Sequence, residues 1–103
     1  MSEARNDFQI EDVDEVIHGR VRLGAMAYLA GAGEADFTTL KGKLGVTDGN
    51  LSVHLKKLED AGYVAVTKRF AGKKPQTTLA ITDDGKAAFL RYLDAMSKLV
   101  AGR

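Results

Sequence analysis

Thr47, Asn50, Ser52, Val53, Lys56 and Lys57 fall close together in this sequence, and Lys68, Arg69, Lys73 and Lys74 form a second cluster shortly after. These side chains offer hydrogen bonds and positive charge without a nucleophile. An asparagine amide can make paired hydrogen bonds to an adenine, a valine can touch a thymine methyl, and ammonium groups meet phosphates as point charges. On residue type alone, Asn50 and Ser52 read equally well as solvated helix residues, and an isolated exposed valine needs no explanation.

Other chemistries lack their residues. The chain has no cysteine, which removes disulfides, thiolate metal ligands and cysteine nucleophiles together and suits a reducing cytoplasm. Its two histidines, His18 and His54, stand far apart, so no metal site is expected. The acids Glu11, Asp12, Asp14 and Glu15 sit at an expected helix start, where they favour the helix dipole, and do not read as a catalytic pair. No serine, histidine and acid grouping, phosphate-cradling glycine loop or HExxH spacing is present. The expectation is no catalytic residue, no cofactor and no enzyme.

The elements that must position the two clusters can be read from periodicity. Asp14 to Ala30 carries Val16, Ile17, Val21, Leu23, Met26 and Leu29 at helical spacing and ends in Gly31-Ala32-Gly33. Asp36-Phe37-Thr38 reads as a brief extended segment, with Thr38 capping a short second helix through Leu44 to Gly45. Thr47 caps a third helix, Asp48 to Ala61, stopped by Gly62. From Tyr63 to Phe70 the period is two. Ala71 to Pro75 reads as a turn and Gln76 to Ile81 as a second strand, making a hairpin. Thr82 caps a last helix with Phe89, Leu90, Leu93, Met96 and Val100 along one broad stripe.

On a wheel of about 100° per residue, Leu51, Leu55 and Leu58 of the third helix share one face. The outward arc is then Gly49, Ser52, Val53, Lys56, Lys57 and Asp60, with Asn50 at its edge. His54 flanks the core stripe and is expected to pack rather than to contact a partner. Two helices joined by a short turn form a helix-turn-helix, whose second helix enters the major groove of DNA. The following hairpin adds a basic surface beside it.

Charge divides along the chain. Residues 1–36 hold three basic residues against eight acidic, net −5, and residues 37–103 hold twelve against six, net +6. At 103 residues, with 45% hydrophobic and 28% charged residues, there is material for one domain, and no secretory signal or membrane span is expected.

The run from Gly45 to Val64, GVTDGNLSVHLKKLEDAGYV, resembles the recognition helix and exit of bacterial winged helix-turn-helix regulators close to the MarR and ArsR groups. The run from Gly72 to Gly85, GKKPQTTLAITDDG, is similar to the wing and following helix start of a small stand-alone winged-helix subgroup. The resemblance covers about residues 14–100. It implies an α+β, mainly α fold: a three-helix core, a β-hairpin wing and a C-terminal dimerisation helix. It also implies a homodimeric regulator of transcription without an attached sensor domain. Asp48 stands where those groups more often carry a neutral polar residue, and the wing lacks the aspartate and arginine pair common in MarR proteins.

The expected organisation is an N-terminal extension, residues 1–13, and a DNA-binding domain, residues 14–100. Helix 48–61 would lie in the major groove and wing 68–77 on the flanking backbone. Val16, Ile17, Tyr28, Phe89, Leu93, Met96 and Val100 are expected at a two-fold interface, because the apolar stripes of the first and last helices exceed what one small core covers. A small-molecule effector is compatible with this organisation, and no residue names one. The alternative is a winged-helix module holding an acidic protein on the same basic face.

Overall fold

The computed structural model describes residues 9–102. Residues 1–8 of the expected extension lie outside them, and the rest contributes a single 3₁₀ turn, Ile10–Asp12. Four helices and a three-stranded antiparallel sheet follow in the order α1 (Arg20–Ala32), β1 (Glu34–Asp36), α2 (Phe37–Leu44), α3 (Asp48–Asp60), β2 (Val64–Ala71), β3 (Lys74–Ile81) and α4 (Asp83–Gly102).

The first helix starts six residues later than its apolar spacing suggests. Asp14 turns its carboxylate back on the chain, and Oδ1 accepts the backbone N–H of Val16 at 2.8 Å and of Ile17 at 3.3 Å. That closes a local turn, and Gly19 then runs extended before α1 begins. Aspartate competes for helix-forming N–H groups in this way wherever its short side chain can reach them. The outcome is a strap, residues 13–19, laid across the body. Tyr63 on the approach to β2 donates its hydroxyl to Asp14 Oδ2 at 2.5 Å, and His18 Nδ1 is hydrogen-bonded to the Tyr92 hydroxyl of α4 at 2.8 Å.

The cap of α2 also differs from expectation. Asp36, not Thr38, accepts the Thr39 N–H, at 2.7 Å. A carboxylate facing the positive end of a helix outcompetes a hydroxyl, and that bond holds the Asp36 pKa below its ordinary value. Gly45, in the left-handed region at φ 65°, ends α2, and Thr47 Oγ1 accepts Asn50 N–H at 3.1 Å to start α3. The two helices are therefore joined by three residues, Gly45 to Thr47.

In the sheet, β3 lies between β1 and β2. The hairpin is tighter than the cluster Ala71 to Pro75 suggests: Ala71 pairs with Lys74 across Gly72 and Lys73, and β3 already includes Pro75. Proline is tolerated there because β1 reaches only as far as Thr78, leaving the other side of β3 unpaired at Pro75.

The core is built from Ile17, Met26, Leu29, Leu40, Leu51, Leu58 and Leu79, all fully buried, with Leu55, Val64, Ile81, Phe89 and Tyr92 almost so. Two residues expected at a dimer face therefore belong to the chain's own core: Ile17 is fully buried and Phe89 is 8% exposed. The strap folds Ile17 inward, and Phe89 shares the inner face of α4 with Ala88, Tyr92 and Ala95. Val16, Tyr28 and Met96 are partly buried against the same core.

Candidate nucleic-acid interface

Helix α3 is fixed on three sides. Leu51, Leu55 and Leu58 bury its inner face. Lys41 of α2 pairs with Asp48 at 2.8 Å, giving the acid in the first turn a countercharge. Behind the helix, Arg22 of α1 reaches His54 Nδ1 with its guanidinium at 2.8 Å while donating Nε–H to Val16 O at 2.6 Å. Arginine has only donors, so His54 Nδ1 must be the unprotonated acceptor. Burial lowers the His54 pKa first, and the neighbouring charges of Arg22 and Lys57 lower it further, which keeps that acceptor in place.

The outward arc is open. Asp48, Gly49, Asn50, Ser52, Val53, Lys56 and Lys57 are exposed, as is Thr47, whose Oγ1 caps the helix and still carries a proton to donate. Val53 is 57% exposed. Lys56 sits over Asp60 at 2.8 Å, and the bond raises its pKa.

The hairpin stands beside this arc. Val64 and Val66 face the core, and strand alternation puts Lys68 on the same side and Arg69 on the other. A groove of about 520 Å³ separates hairpin from helix, with Ser52, Lys56 and Glu59 on one wall, Lys68 and Thr77 on the other, and Phe37, Leu55 and Leu79 beneath. Lys68, Arg69, Lys73 and Lys74 are all exposed, and the span 64–81 contains no acid. All ten side chains expected to contact DNA are thus exposed on α3, its cap or the hairpin.

Residues 21–100 match the family model of the winged helix DNA-binding domain. The chain belongs to that family. It is 39% identical over 79 residues to an uncharacterized protein of Methanocaldococcus jannaschii, covering 77% of this chain and 86% of that one. The structure of a transcriptional regulator homologue from Pyrococcus horikoshii superimposes with a TM-score of 0.76 at 31% identity, covering 90% of this chain and 97% of the other. A MarR-family transcriptional regulator from Silicibacter pomeroyi shares the fold alone, with a TM-score of 0.64 at 20% identity over 84% of this chain and 57% of that one. In this winged-helix protein the β2–β3 hairpin directly follows α3. Family and fold are those of transcriptional regulators, not of enzymes. No helix is long and apolar enough to cross a membrane, and no cluster of metal-ligating side chains occurs among the described residues.

Three residues on or behind this candidate face escape a sequence reading. Arg22 interrupts an apolar helical stripe and carries no local mark of a partner 32 positions away. Lys41 is unremarkable until the helix-turn-helix angle brings it to Asp48. Phe70 reads as the last apolar residue of a strand, yet is 72% exposed.

Proposed function

We propose that the winged-helix chain binds duplex DNA sequence-specifically as a homodimer in the cytoplasm and regulates transcription. Helix α3 enters the major groove and wing residues 68–77 follow the flanking backbone. The observation that carries this reading is the juxtaposition of an exposed polar arc on α3 with an acid-free hairpin bearing four cations. Asn50 and Ser52 lie at the N-terminal part of the helix, the part that reaches base edges in a helix-turn-helix, and Thr47, Lys56 and Lys57 flank it toward the phosphates.

The two-fold partner is a second copy of α4. Leu90 at 66%, Leu93 at 45% and Val100 at 70% exposure, with Met96 half-buried beside them, form an apolar flank along the outer side of that helix. Burying it against its own copy, with Tyr28 at the margin, sets two recognition helices about one turn of DNA apart, roughly 34 Å. Val16, expected at the same face, lies instead beside Lys57 and Ala61 at the end of α3.

Selection from a random duplex pool tests the whole reading. It is expected to enrich an inverted repeat with half-site centres about 10 base pairs apart, and light scattering is expected to give twice the 11.1 kDa chain mass. A pool that returns no enriched duplex overturns the DNA reading in favour of an acidic protein on the same face. A single-chain mass that persists at high concentration overturns the dimer.

A further inference from the structure

We infer that the wing carries an apolar wedge, Phe70 with Pro75, that enters the minor groove next to each half-site and contributes to sequence choice there. The inference rests on the DNA reading above and adds a contact that the basic residues alone do not supply.

Strand alternation along β2 puts Val64, Val66, Lys68 and Phe70 on one side of the hairpin. Val64 is buried in the core, Val66 is half-buried against it, and Lys68 lines the groove beside α3. Phe70 continues the same row past the edge of the body, so its ring stands on the side of the wing that faces the recognition helix. The register pairs Phe70 with Pro75 on β3, which places two apolar side chains opposite each other on that side. Phe70 lies four positions beyond Val66, an extension of about 13 Å along the strand. With α3 in the major groove, the hairpin beside it stands over the phosphate strand that bounds that groove, and its tip beyond Lys68 faces the minor groove on the far side of that strand.

The occupant follows from charge. Lys68 shares the side of the apolar pair, Lys73 stands at the tip, Arg69 and Lys74 lie on the other side of the hairpin, and no acid lies within residues 64–81. A protein partner docking on Phe70 would have to bring its own acids to balance four cations. A duplex brings two rows of phosphates, one on either side of a narrow groove. Arginine and lysine beside an inserted phenylalanine or proline is the pattern by which minor-groove binders unstack a base step and favour pyrimidine–purine steps, which open most easily. The tip can hold the ring out because it is short: Gly72, at φ 67°, and Lys73 alone connect the strands.

The test uses the full chain and the selected duplex, with 2-aminopurine placed in turn at each step flanking a half-site. With the wild type, one flanking step is expected to brighten on binding as its base unstacks. Phe70→Ala is expected to abolish that signal, weaken binding about tenfold and erase the preference for bases at that step, leaving the salt dependence and the half-site preference unchanged. Phe70→Leu is expected to restore part of the signal. A Phe70→Ala protein that matches the wild type in brightening and flanking preference overturns the wedge while the DNA reading stands. A wild type that binds no duplex overturns both. Phe70 touches nothing in the core, and an unchanged circular dichroism melt confirms that the variant reports on the wing.

Discussion

Replacing Gly85 by alanine sets helix propensity against packing, and the structure decides the sign. Alanine in place of glycine within a helix is worth up to about 1 kcal/mol in favour of the fold. In the first turn of α4, however, a Cβ on residue 85 would lie 2.2 Å from the Tyr63 carbonyl oxygen and 3.0 Å from Ile81 Cγ1. Ordinary contact begins at 3.4 Å, so the helix must back away by more than 1 Å. That movement works against the Thr82 N–H bond to the same Tyr63 oxygen at 3.0 Å and against the Thr82 hydroxyl, which accepts Gly85 N–H at 2.9 Å and donates to Gly62 O at 2.6 Å. Overpacking of this kind costs about 1–3 kcal/mol, and a weakened hydrogen bond about 1 more. After subtracting the propensity gain, Gly85→Ala is expected to destabilise by about 2 kcal/mol and lower Tm by roughly 8–16 °C. Circular dichroism melts at one fixed protein concentration measure it. Gly31→Ala is the control: no atom lies within 4 Å of its added Cβ, so propensity alone acts and Tm is expected to hold or rise. A Gly85→Ala protein as stable as the parent refutes the close packing of α4 on Tyr63.

Thr47→Ala removes the cap of α3 and is expected to lower stability by about 1 kcal/mol, a Tm fall of roughly 4–8 °C in the same melts. Lys73→Ala with Lys74→Ala is expected to weaken binding to all duplexes alike and to flatten the plot of log affinity against log salt by about 0.9 per lost phosphate contact, read by anisotropy over a salt series. The lowered His54 pKa means that, below the unfolded value of 6.5, the unfolded chain binds a proton that the folded chain resists. Stability is therefore expected to be full above that pH and to fall as pH drops toward the folded pKa, and His54→Gln, which can still accept from Arg22 without titrating, is expected to flatten that part of a urea-midpoint profile.

What was legible in the sequence is what local chemistry decides. Thr47 and Gly45 punctuate the helix-turn-helix at short range, and the change of period at Tyr63 marks the wing, so both elements could be placed. The start of α1 was not legible because Asp14 offered two local outcomes, a helix start and a closed turn. The bonds to Tyr63 and from His18 to Tyr92 that hold the strap come from distant residues. Stripe width showed that α4 has more apolar surface than one core needs, but which edge faces inward depends on the strap and on Tyr92. Phe89 accordingly moved to the core, while Leu90, Leu93 and Val100 stayed outside. At the interface, residue type and helical phase exposed the polar arc. The Arg22 brace and the side on which Phe70 emerges required tertiary register.

The central claim, that α3 reads bases in duplex DNA, is tested most directly by titrating the selected duplex and a base-scrambled duplex of equal length with the wild type and Asn50→Ala at one salt concentration. The wild type is expected to prefer the selected duplex by about 10³-fold or more. Asn50→Ala is expected to lose about 5- to 150-fold on the selected duplex and nothing on the scrambled one. Equal wild-type affinity for the two duplexes, or an equal loss on both in the variant, would contradict base reading by this helix.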